Sequence, residues 1–537
     1  MTQTEASIDA SGYVEEAKRV FEREIGTTGV NHLIEPVGNE SFLKFVVGRD
    51  APLYSHALLE TQSHLSADNP FKGKLGIEIE RQDKFPDSLE AGCLLTLLTR
   101  STRAIAEGAI SKGFVVPYVP FQNREDHQLA QPASHIVIGR RGVGKSTLIR
   151  RAIELLSESP AIVVVLDMQT YAGLKKRDLL REVMHDVVLG FVNGSNQVSS
   201  RFGISLDATA LAKTAARLAD GELSPEDAVP VIKRQLKALT GRTGNHAYVF
   251  LDDYHLIDSN FQPELLDLLH GPLKGASGWL KVSALRTLLN NYSPKTRKGL
   301  QIPGDAQAIS LDLTLENPEA AERHLRAILG NFLKAVGYSL TERVIPDAAF
   351  KRLVWANAGV PRDFLQMFAR AVEHARRNRH TSVTLSDVNI AIGEFGQTKM
   401  EELREDARNE AGGLQDMVGA LEQYCLDDNK VNGFLLKSEE SGERRLIRTL
   451  SDLRLVHLIH QSITPERAGE RYEAFIVDYS LFTGFRRRPN IREMVPSESG
   501  QFKASDLRKL PKIASGFLQR ALHETRKVKA IQPQAGS

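Results

Sequence analysis

Cysteine is nearly absent. The chain of 537 residues holds two, Cys93 and Cys425, far apart in sequence. No disulfide framework or thiolate zinc pattern can be drawn from them, which suits a reducing cytoplasm. Long apolar runs are also lacking. The most apolar stretch, Cys93-Leu94-Leu95-Thr96-Leu97-Leu98, is far shorter than the ~20 residues that span a bilayer, so no membrane is expected as a partner. The N-terminus, Met1-Thr2-Gln3-Thr4-Glu5, has neither the basic nor the apolar region of a signal peptide. Charge of one sign is not in excess. Lys and Arg number 69 against 67 Asp and Glu, a net charge of +2, so any nucleic-acid surface must be a local patch. No protease, nuclease or deaminase constellation is found.

What is present is length and one specific loop. A chain of this size exceeds one ordinary core and predicts two to four domains. Gly139-Arg140-Arg141-Gly142-Val143-Gly144-Lys145-Ser146-Thr147 fits the phosphate-binding pattern G-x-x-x-x-G-K-[ST]. His135 to Ile138 reads as a short buried strand before it, and Leu148 onward as a helix after it. That is the setting the motif requires. Its glycines let the backbone turn N–H groups onto a polyphosphate, and the helix N-terminus adds partial positive charge. Lys145 can reach the β- and γ-phosphates of ATP, and Ser146 can hold Mg²⁺.

The rest of the core follows an alternating pattern. Ala161 to Asp167 is an unbroken apolar run, expected as a strand buried on both faces. Leu174 to Phe191 reads as a helix and 193–204 as a loop, followed by helices over Leu206 to Leu218 and Pro225 to Leu239. Ala247 to Leu251 is a strand ending in Asp252 and Asp253. Asp252 is the second candidate Mg²⁺ ligand, and Asp253 the candidate group that polarises the attacking water. Trp279 to Leu285 is the next strand, and a group at its tip can sense the γ-phosphate, Arg286 first and Ser283 second. Gln307 to Leu313 is a fifth strand. Strands alternating with helices predict an α/β phosphate-loop NTPase core with a parallel sheet. Before it, Phe114 to Pro120 is strand-like, and Arg124-Glu125 reads either as an adenine-side contact or as a solvated loop.

Outside that core, residues 1–120 read as a small α+β domain. It has a helix over Tyr13 to Ile25, strands at Phe42 to Val47 and Leu75 to Ile79, and a long helix from Ser88 to Lys112 with Ser88 as N-cap. It carries no chemical constellation and suggests assembly with a partner protein or with further copies of the chain. Residues 316–400 read as a helical lid on the 121–315 core. In it, Asn357-Ala358-Gly359-Val360-Pro361-Arg362-Asp363 makes a helix–helix turn with Pro361 at the first helical position, so that Arg362 projects from the helix start and is a candidate to touch the γ-phosphate across the domain interface, or else an exposed arginine at a helix cap. Residues 401–537 have helices over Leu414 to Leu426 and Arg444 to Leu453, then strands at Leu455 to His460 and Tyr472 to Val477 joined by a hairpin at 464–470. This is the outline of a winged helix. Arg444, Arg445 and Arg448, with Arg486-Arg487-Arg488 beyond the hairpin, are candidates for DNA phosphates, or else for a basic face toward protein or water.

These motifs resemble two groups of phosphate-loop ATPases. Leu251-Asp252-Asp253-Tyr254-His255-Leu256-Ile257 resembles the second ATP motif of STAND signalling ATPases, notably the MalT-type regulators. Gly359-Val360-Pro361-Arg362 resembles the lid arginine motif of origin-recognition AAA+ initiators, which also carry a C-terminal winged helix. The STAND pattern has Leu where this chain has Arg362, and the initiators have Glu where it has Asp253. The resemblance implies ATP and Mg²⁺ binding and ATP hydrolysis, with slow turnover given Asp253. It leaves three roles open: a DNA-associated ATPase, a nucleotide-controlled signalling or defence switch, and a scaffold.

Overall fold

The structure is a computed structural model that describes residues 3–81, 84–102, 115–241, 245–341, 343–406, 411–439, 441–465, 470–484, 487–497 and 501–520. The chain divides into two compact units. One is Pro120–Asp312 with Ser451–Leu453, and the other is Met1–Val119, Leu313–Leu450 and Arg454–Ser537.

The first unit is built on five strands: β1 (His135–Ile138), β2 (Ile162–Asp167), β3 (Ala247–Asp252), β4 (Gly278–Ala284) and β5 (Gln307–Ser310). Every pairing is parallel, in the order β5-β1-β4-β3-β2. The sheet is therefore α/β, and β4 lies between the loop-bearing β1 and the acid-bearing β3. One face is covered by the helices Lys176–Phe202, Thr209–Ala219, Pro225–Gly241 and Gln262–Leu273, which bury Ile136, Val164, Val249, Leu280 and Val282 in a continuous apolar core. On the other face of β1, β3 and β4 lie Val137, Phe250, Lys281 and Ser283, all buried. Lys281 donates to the carbonyls of Gln131 and Ala133 at 2.7 and 2.6 Å and contacts His135 Nδ1 at 2.9 Å. This ties the segment before β1 to the sheet. Burial pulls the Lys281 ammonium down to about 7.

Three expectations are corrected. The strand Ile162–Asp167 is not buried on both faces. It is the sheet edge, where Ile162 and Val164 are buried but Val165 is 49% exposed. Residues 193–202 are not a loop, because the helix runs on to Phe202 and ends at Gly203 in the left-handed region, φ 67°. Its small and polar residues serve close packing. The Ser195 and Ser199 hydroxyls turn back onto the carbonyls of Phe191 and Ser195 at 2.7 and 2.8 Å. Gly190 sits against β2, where a Cβ would come within 2.5 Å of Val164. Residues 115–120 are irregular rather than a strand, and Phe114 lies outside the described residues.

The second unit opens with helix Gln3–Ile25 and a three-stranded sheet. Glu40–Val47 pairs antiparallel with His32–Val37 and parallel with Leu75–Ile79. His32–Val37 was hidden in sequence by its Glu and Pro, and all six of its residues are exposed. Ser88 receives the Ala91 N–H at 3.2 Å, as an N-cap does, and the helix spans Leu89–Thr102 before the described residues stop. The helices expected as a lid are Pro318–Ala335, Asp347–Asn357, Pro361–Arg377 and Leu385–Asp406. The turn before Pro361 carries Ala358 and Gly359 at φ 50° and 83°.

The C-terminal region is winged-helix-like. Helix Ala411–Glu422 continues as a wide helical turn over Gln423–Asp428. Helix Gly442–Asp452 precedes the antiparallel strands Val456–Ile463 and Tyr472–Val477, and a third strand, Gly433–Lys437, pairs with the latter. The tip at 466–469 lies outside the described residues. A buried ionic cluster joins this region to the lid. Asp363 pairs with Arg454 and lies 3.8 Å from Lys399. Lys399 and His457 each reach Asp478 at 2.6 Å. Arg454 is 2% exposed. Such a cluster holds only when every member keeps a partner.

Candidate active site

The phosphate loop joins β1 to helix Lys145–Leu156. Gly142 and Gly144 stand at φ 78° and 107°, where a side chain would be strained, and a Cβ on Gly139 would come within 2.8 Å of Val143, so all three glycines serve the turn. Lys145 is 6% exposed. Its ammonium donates to the carbonyls of Gly139 at 3.0 Å and Arg140 at 3.3 Å, folding back over the loop. Burial drives its pKa down, opposed by the nearby carboxylates of Asp253, Asp252 and Asp312. Val143 is buried, Ser146 and Arg141 are partly buried, and Thr147 is exposed.

The acid pair stands at the end of β3, one strand away across β4. Ser283, fully buried on β4, donates its hydroxyl to Asp252 Oδ1. The Asp253 N–H is shared between Asp252 Oδ1 at 3.1 Å and Ser283 Oγ at 3.0 Å. Asp253 itself is in the left-handed region, φ 50°. A non-glycine residue held there is a strain that surrounding structure must impose. The turn after it supplies this, since the fully buried Tyr254 donates to Gln262 O at 2.7 Å and Gln262 donates to Ile257 O at 2.7 Å. Burial raises the Asp253 carboxyl pKa, with Asp252 adding to the rise and Lys145 opposing it. His255 Nδ1 lies 3.9 Å from Asp253 Oδ1. Burial, with Lys145 and Arg141 beside it, lowers this imidazole to about 3, so it is neutral at physiological pH.

Of the two candidates at the tip of β4, the structure brings Ser283 to the acid pair. Arg286 is exposed and donates to Ser310 Oγ at 3.2 Å. Glu125 is buried and accepts from the Asn123 backbone and side chain, both at 3.1 Å, so it braces its own turn. Arg362 begins helix Pro361–Arg377 and belongs to the other compact unit.

Three site neighbours escaped sequence reasoning. Phe121 places its ring 3.7 Å from where a Gly144 Cβ would sit. His255 borders Asp253. Asp312, just past β5, accepts the Arg140 N–H at 2.8 Å. The last was findable only from sheet order, because β5 must lie beside β1 before a residue at its end meets the loop.

The basic candidates divide. Arg444 makes a two-point pair with Glu473, at 3.0 and 2.6 Å. Arg488 pairs with Asp427 and lies 3.4 Å from Glu422. Arg445, Arg448 and Arg487 are exposed, and Arg486 lies outside the described residues. Among the described residues no helix is long and apolar enough to cross a membrane.

Strand order, loop and acid pair together define the fold class. The core is a phosphate-loop NTPase fold. No family model and no curated protein matches this chain. Similar solved structures include the Orc1 protein of Aeropyrum pernix in complex with DNA, at 15% identity and TM-score 0.34, over 78% of this chain and 96% of that one. Cdc6p from Pyrobaculum aerophilum is 13% identical at TM-score 0.34, over 77% and 97%. The RuvB branch migration motor of Thermotoga maritima is 15% identical at TM-score 0.27, over 53% and 77%. These likenesses are distant, and the fold stands on its own strand order.

Proposed function

We propose that the chain binds ATP with Mg²⁺ and hydrolyses it at the phosphate-loop end of β1, β3 and β4, and that it acts on DNA through the C-terminal winged region. The observation that carries this reading is the convergence of a positive-φ glycine loop, a buried lysine and a serine-braced acid pair at one end of a parallel sheet. The loop N–H groups and the helix start receive the phosphates, and Lys145 leaves the loop carbonyls for the β- and γ-phosphates. Ser146 and Asp252 hold the cation, which when bound neutralises phosphate charge. Asp253 orients the attacking water, and Ser283 holds both acids in register. Arg286 and Arg362 remain candidates for completing the site, the second from the lid or from a neighbouring copy. Arg445, Arg448, Arg486 and Arg487 are the cations offered to DNA phosphates.

A second reading rests on the ion pairs of Arg444 and Arg488. With Arg444 and Arg488 held by carboxylates, the winged region also suits a protein partner. The chain would then be a slow nucleotide-controlled switch of the STAND kind, assembling through its N-terminal domain.

Steady-state ATP hydrolysis with and without duplex DNA, at low and high salt, separates the two, with Lys145→Ala as the blank. Turnover raised by DNA and lost at high salt supports the first reading. Slow turnover indifferent to DNA supports the second.

A further inference from the structure

The phosphate loop carries an internal anion. Asp312 follows β5, the neighbour of β1, and its Oδ1 accepts the Arg140 N–H at 2.8 Å and lies 3.5 Å from Arg140 Nε. Arg140 is 5% exposed and Asp312 19%, so solvent screens this pair weakly. The same carboxylate acts on the Lys145 ammonium, which meanwhile is bonded to the carbonyls of Gly139 and Arg140. A polyphosphate entering this loop meets two cations already shared with a fixed negative charge.

We propose that Asp312 is a positioning residue that competes with nucleotide phosphate. It braces the loop through the Arg140 N–H and holds down the affinity of the loop for ATP and ADP, so that product leaves. This deepens the ATP reading above and rests on it. Bracing requires only an acceptor oxygen, whereas competition requires charge, and the two separate by substitution. Asp312→Asn and Asp312→Ser keep an oxygen for the N–H and remove the charge. Asp312→Ala removes both.

The experiment is calorimetric titration of the full chain with ADP and with ATP, with and without Mg²⁺, together with the rate of ADP release after dilution into excess ATP. Thermal melting of each variant reports folding. Removing a unit charge bonded to the loop is expected to tighten binding roughly tenfold for Asn and Ser. ADP release slows in proportion, while Ala binds more weakly than wild type. The opposite signs exclude a merely structural role, because loop damage only weakens binding. If Asn and Ser, both folded, bind ADP no more tightly than wild type, Asp312 does not compete and the inference falls. If folded wild type binds neither nucleotide, the ATP reading itself falls, which is a distinct outcome.

Discussion

The phosphate-loop core and the winged region spend charge in opposite ways. At the phosphate loop, Arg140 pairs with Asp312, while Lys145 and the two acids of β3 converge on the same strand ends. Lys145 bonds backbone carbonyls, Asp252 takes a serine hydroxyl, and Asp253 is held in a strained conformation with a raised pKa. In the lid and winged region, the buried charges pair off. Asp363, Arg454, Lys399, Asp478 and His457 form one cluster, and Arg444 is taken by Glu473. Poised charges suit chemistry, whereas paired ones fix a conformation.

The sharpest way to break this contrast is at Lys145. Lys145→Ala is expected to weaken ATP binding by about 100-fold or more, since charge-assisted contacts of roughly 1.5–3 kcal/mol each are lost. Melting should move little, because the ammonium bonds only loop carbonyls. Next is Asp253→Asn, which should retain ATP binding and slow hydrolysis by roughly 100-fold or more. In the paired region the effects should fall on stability instead. Arg454→Met leaves Asp363 buried and is expected to cost about 3–5 kcal/mol in denaturant unfolding. Acid should act on the same cluster. Burial pushes the Asp478 carboxyl up, but Lys399 and His457 hold it below the usual range. Its stabilisation is therefore present above the ordinary carboxylate pKa of ~4 and is lost as pH falls through the folded value. Lys399→Met should lessen that acid sensitivity, because it removes one of the two cations that hold Asp478 charged. Arg444→Ala should cost about 1–3 kcal/mol by stranding Glu473. Arg445→Ala and Arg487→Ala, at exposed positions, should leave stability within about 0.5 kcal/mol. If DNA is the partner, each lowers the salt dependence of binding by about one ion.

The two regions were also unequally legible. The loop, its strand and its helix follow from Gly139 to Thr147 because glycine spacing and apolar runs are local signals. The acid strand followed for the same reason. Ser283 ranked behind Arg286, because a strand tip suggests an exposed cation, and only sheet register shows that Ser283 faces the acids while Arg286 reaches Ser310. Helix 193–202 was misread because Gly, Ser and Asn mark loops unless a neighbouring strand demands a close approach. The arginines of the winged region were the least legible. Whether Arg444 is a DNA ligand or a strut depends on Glu473, 29 residues away across the fold. Strand Gly433–Lys437 stayed hidden because it is short and its partner lies beyond the helix.

The most direct test of the central claim is ATP hydrolysis by Asp253→Asn under saturating Mg²⁺ and ATP, with binding measured on the same sample. The account predicts nucleotide bound as in wild type and turnover reduced roughly 100-fold or more. Turnover at the wild-type rate would show that the acid pair braced by Ser283 is not where ATP is hydrolysed.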